Sequence, residues 1–114
     1  MKTYKHLFED KVGFIFNGIH YGDKSYTMNY YNLVSAILNG HHGSKIPNGS
    51  ELVKMFGATV YTNFDDMPNS VKERGLYKEL SDIYVLTNKD IEGFNAAISR
   101  IAKTLGASVK FLQN

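Results

Sequence analysis

DIYVLTNKDIEGFNAAISRIAKTLGASVKFL, residues 82–112, carries three elements in one run. The β-branched and aromatic stretch Ile83–Thr87 predicts a strand, and Ala107–Leu112 predicts another. Between them Ile91, Phe94, Ile98, Ile101, Ala102 and Leu105 recur every three or four residues. That spacing places them on one face of a helix over Asp90–Leu105, with Glu92, Ser99, Arg100 and Lys103 facing water. Thr87-Asn88-Lys89-Asp90 has the form of a capping box in which Asp replaces the usual Glu or Gln. A strand, a four-turn helix and a strand within about thirty residues predict a right-handed βαβ crossover, its two strands parallel in one sheet.

Upstream, Val12–Tyr21 reads as a hairpin. Asn17-Gly18 supplies the two positive-φ positions of a type I′ turn, pairing Phe16 with Ile19, Phe14 with Tyr21 and Ile15 with His20. Tyr30, Leu33, Val34, Ile37 and Leu38 then form one apolar stripe of a helix over Thr27–Gly40, capped by Thr27 or Asn29 and closed by Gly40. Ser50–Phe56 predicts a shorter helix ending at Gly57, with Ala58–Thr62 as the strand after it. The charged connection from Asn63 to Ser81 predicts one or two short helices around Val71–Leu80, interrupted at Gly75, with Asp65 and Asp66 as helix caps. Together these elements predict one α+β domain over residues 1–114. Its architecture is a two-layer sandwich with an N-terminal β-hairpin, a mixed four- to five-stranded sheet, helices on one face and a C-terminal βαβ unit.

Composition narrows the chemistry. The chain has no cysteine, which removes disulfides, thiolate metal sites and cysteine nucleophiles. Thirteen basic residues are scattered among eleven acidic ones for a net charge of +2, too little for an electrostatic polyanion binder. No apolar run approaches the length of a membrane span, and the N-terminus leads into no hydrophobic signal core, so the expectation is a cytoplasmic protein without membrane contact.

The segment Gly40–Gly49 is the part of the sequence most suited to holding a ligand. Its glycines permit close backbone approach, and His41, His42, Gly43, Ser44 and Lys45 offer hydrogen bonds and positive charge to a small anionic ligand or an acidic partner. A Walker loop runs from a strand into a helix beginning at its lysine, whereas here a helix comes first and Ile46-Pro47 follows Lys45. Adjacent histidines point apart and find no third ligand at helical spacing, so neither a metal nor a cofactor is expected. Nucleophile elbow, paired glycosidase carboxylates and dinucleotide fingerprint are all missing, which favours a non-enzymatic role. Eight tyrosines add a second signal. Tyr31 and Asn32, at the edge of the first apolar stripe, are candidates for a partner-binding surface. Gly93, Ala96 and Ala97 form a small-residue patch that a second copy of the chain could approach in a homodimer.

Ile37–Ile46, with its apolar pair, its Gly40-His41-His42-Gly43 bracket and its following isoleucine, resembles the Gly-x-x-Gly loop of RNA-binding KH domains. The predicted order strand, helix, helix, strand, strand, helix from Ile19 to Leu105 is also similar. The resemblance implies nucleic-acid binding, with the loop clamping about four nucleotides. Pro47 stands where that family's second helix already runs, and the bracketed pair is His-His.

The leading expectation is a small binding or regulatory protein that acts through protein–protein or small-ligand contacts. Phage or mobile-element inhibitors of host enzymes have this plain composition. A nucleic-acid or nucleotide binder using Gly40–Gly49 is the second reading. A small hydrolase or transferase using His41 or His42 with Asp65 or Asp66 is the third.

Overall fold

A computed structural model describes residues 12–42 and 54–112. The chain is α+β, but its strands form two separate three-stranded antiparallel sheets among the described residues. Strands β1 (Phe14–Phe16) and β2 (Ile19–Tyr21) form the expected hairpin, in the expected register. Asn17 and Gly18 adopt φ of 52° and 85°, as its turn requires. Helix α1 (Tyr26–Leu38) follows, capped not by Thr27 or Asn29 but by Ser25, whose hydroxyl accepts from the Met28 N–H at 3.3 Å. The Asn29 side chain is instead buried, receiving the Asp23 N–H at 2.6 Å and donating to the Asp23 carbonyl at 3.0 Å. It pins the link between β2 and α1.

A 3-10 turn (Gly57–Thr59) leads into β3, which is only Val60–Tyr61. A second 3-10 turn (Phe64–Asp66) is capped by Asn63, whose side-chain oxygen accepts from the Asp65 N–H at 3.0 Å. Asp65 and Asp66 therefore cap no helix. Helix α2 (Asn69–Arg74) starts at Pro68 without a side-chain cap and closes on Gly75 at φ 65°. After it the chain forms a strand where helix was expected: β4 (Tyr77–Leu80) turns through Ser81, at φ 56°, into β5 (Ile83–Leu86).

Helix α3 (Ile91–Leu105) begins one residue after the expected boundary because Asp90 is itself the cap, accepting from the Gly93 N–H at 2.7 Å. Phe94, Ile98, Ile101 and Ala102 are buried as expected, whereas Ile91 is 38% exposed. Ala97, expected on a small-residue surface patch, is in the core.

Strand β6 (Val109–Phe111) overturns the βαβ expectation. It pairs antiparallel with β1, matching Phe14 to Phe111 and Phe16 to Val109, and does not join β5. The physical reason is edge availability: β5 lies between β3 and β4, while β1 has a free edge opposite β2. Backbone bonds from Leu112 N to Gly13 O (3.0 Å) and Asn17 N to Ser108 O (2.7 Å) extend that ladder. From Ile19 to Leu105 the described elements run strand, helix, strand, helix, strand, strand, helix, which is not the KH-like order, and β2 lies in a different sheet from β3 and β5.

The main core lies where β1, α1, α3 and one face of the β3-β5-β4 sheet meet, with Phe14, Phe16, Tyr30, Leu33, Phe94, Ile98 and Val85 among its members. Cross-strand pairing puts Val60, Ile83, Val85 and Leu80 on that inner face. Tyr61, Tyr84, Leu86 and Tyr77 leave the sheet on the other side. There they form a second cluster with Met67 and Val71.

Candidate functional site

The expected site residues do not form one constellation. His41 and His42 follow α1 in a turn, with His41 exposed and His42 buried at 5% exposure. His42 Nε2 lies 2.6 Å from the Tyr21 hydroxyl, and its ring stands edge-on to Phe16 at 4.9 Å. Its Nδ1 has no partner among the described residues. Burial lowers the His42 pKa, with the neighbouring His41 charge adding to the effect, and burial raises that of Tyr21. The imidazole is thus a weakened base and the phenol a weakened acid. The pair is a buried polar contact between β2 and the turn that follows α1. Gly43, Ser44 and Lys45 lie outside the described residues.

Tyr31 is half-buried and tied down. Its hydroxyl donates to the Glu79 carbonyl on edge strand β4 at 3.0 Å, and the Lys78 ammonium stands 5.7 Å from its ring centroid. Its hydroxyl therefore satisfies one backbone acceptor of the sheet edge. Asn32, next to it, is exposed. Other tyrosines are structural. Tyr30 is buried with its hydroxyl 2.5 Å from that of Thr59, and Thr59 donates to the Phe56 carbonyl at 2.7 Å. Arg100 reaches the same carbonyl at 3.2 Å. Burial pushes the Tyr30 phenol up to about 12. Tyr26 bonds Asn95 on α3, and burial pushes its phenol to about 12 as well.

Asp65 and Asp66 do not meet the histidines in a metal-binding group. No cluster of three or more His, Cys, Asp or Glu side chains that could hold a metal occurs among the described residues.

The outer face of the β3-β5-β4 sheet is a surface that sequence reading missed. Phe64, Tyr77 and Tyr84 form a closed triangle, each pair of ring centroids 5.7 Å apart and the planes 78°, 68° and 80° to one another. Such edge-to-face contacts fix the rings against each other. Phe64 is 37% exposed, and Tyr61, Tyr77 and Tyr84 are half-buried, so the triangle sits over Met67, Val71 and Leu86 with its outer side in solvent. The signal is in Tyr77 and Tyr84, which the β4–β5 pairing places on one face, but the sequence of β4 itself predicts helix.

Among the described residues no helix is long and apolar enough to cross a membrane. No family model, no curated protein and no solved structure matches this chain.

Proposed function

We propose that the protein is a small non-enzymatic binding or regulatory protein that engages another protein through the outer face of the β3-β5-β4 sheet. The Phe64–Tyr77–Tyr84 triangle carries this reading. Tyrosine and phenylalanine supply large contact area with few rotatable bonds, and here mutual packing has already removed most of that freedom before any partner arrives. The rings stand on a buried base of Met67, Val71 and Leu86, which gives a partner a firm surface. Inhibition of a host enzyme by a phage or mobile-element protein is one setting in which such a module would act.

A photo-crosslinking benzoylphenylalanine placed at Phe64, and separately at Lys103 on the outer side of α3, tests this in living cells. The expected result is a discrete covalent protein adduct from position 64 and none from 103. Absence of an adduct at 64, or the same adducts from both positions, would overturn the reading.

A further inference from the structure

We infer that the partner segment docking on this aromatic face is basic and presents arginine, an inference that rests on the docking reading above. The surroundings of the rings supply the charge argument. Glu79 is the cross-strand partner of Tyr84, so its carboxylate leaves the sheet on the aromatic side. Asp65 and Asp66 follow Phe64 directly and are exposed. Residues 61–86 hold the acids Asp65, Asp66, Glu73, Glu79 and Asp82 against the bases Lys72, Arg74 and Lys78, in a chain whose net charge is +2. Lys78 leaves the sheet on the opposite side, toward the Tyr31 ring. The aromatic lobe is therefore acidic within a basic chain.

Ring faces beside carboxylates favour a guanidinium over other groups. It stacks flat on an aromatic face and donates in a fork to a carboxylate at the rim, which a compact ammonium cannot do. The chain already shows that one of these rings accepts a cation, since Lys72 Nζ stands 6.0 Å from the Phe64 centroid. Lys72 also donates to the Asp65 carbonyl at 3.4 Å. An incoming arginine meets Lys72 as a like charge, so Lys72 limits affinity on this face.

Chemical-shift mapping by NMR separates the possibilities, with a short alternating glycine–arginine peptide and its glycine–glutamate and glycine–proline counterparts as probes. The arginine peptide should shift amides within residues 60–66 and 77–86, and its affinity should fall as salt rises. Glu79→Gln should weaken it about twofold to fivefold, and Lys72→Gln should strengthen it by a similar factor. Equal or stronger shifts of the same amides by the glutamate or proline peptide would overturn the basic partner while leaving the aromatic face as a docking surface. Arginine-peptide shifts absent from these segments, or weakening by Lys72→Gln, would also overturn the inference. The crosslinking at position 64 judges the docking reading independently.

Discussion

Protonating His42 would place a charge between the Phe16 ring and the Tyr21 hydroxyl, in a pocket that already lowers its pKa. The folded value lies below the ordinary 6.5 of the unfolded chain, so the native state binds the proton less readily than the unfolded state does. This contribution to stability is fully present above about pH 6.5 and is lost as pH falls through the lower folded value. Urea midpoints of the parent and of His42→Leu, compared at pH 7.5 and 5.5, should show the larger acid-induced drop in the parent. Equal drops would contradict the burial of a neutral imidazole. Gly13 makes a second prediction at this scale. It holds φ 87°, and a Cβ there would overlap the Tyr21 carbonyl oxygen, whereas Gly75 at φ 65° has open space around it. Gly75→Ala should cost about 1–2 kcal/mol from backbone strain alone, and Gly13→Ala distinctly more. Neither His42 nor Gly13 announced this in the sequence. A histidine in a glycine-rich segment looks exposed until the fold brings Phe16 and Tyr21 against it.

Helix α3 shows what local pattern can reveal. Its stripe of Phe94, Ile98, Ile101 and Ala102 is buried as the spacing predicts, because a 3.6-residue period leaves only one face able to bury so much apolar area. Phe94 packs on Tyr30 at 4.8 Å and Tyr26 at 6.3 Å. Phe94→Ala should therefore cost about 3–5 kcal/mol in denaturant titrations, against less than about 0.5 kcal/mol for the exposed Lys103→Ala. The β1–β2 hairpin was equally legible, since Asn17-Gly18 selects its own turn. Strand β4 was not. Tyr77-Lys78-Glu79-Leu80 follows a real helix and carries helix-forming residues, and Ser81-Asp82 lacks the glycine that marks a tight hairpin. Missing β4 concealed the aromatic face, because Tyr77 and Tyr84 become neighbours only when β4 and β5 pair.

Pairing at the scale of the molecule was set by which edges stood open, a property of the assembled sheet that no local window contains. The unit 82–112 has the elements of a crossover, yet β6 closes on β1. The cysteine-free chain makes a clean test available: Ile15→Cys with Lys110→Cys, opposite one another in that ladder, should oxidise to an intramolecular disulfide. Tyr84→Cys with Lys110→Cys, the sort of pair a parallel β5–β6 alignment would favour, should not.

The two-sheet arrangement gives one sheet face to the core and the other to the Phe64–Tyr77–Tyr84 triangle, and the functional account stands on that second face. The most direct test is titration of the crosslink-identified partner against Phe64→Ala, with His41→Ala and Asn32→Ala as comparisons. Phe64 is partly exposed, so its replacement should cost no more than about 2 kcal/mol of stability. As an interface anchor its loss should weaken partner binding by tenfold or more, while the other two variants bind like the parent. Parental affinity in Phe64→Ala, or loss of binding in His41→Ala or Asn32→Ala alone, would contradict the account.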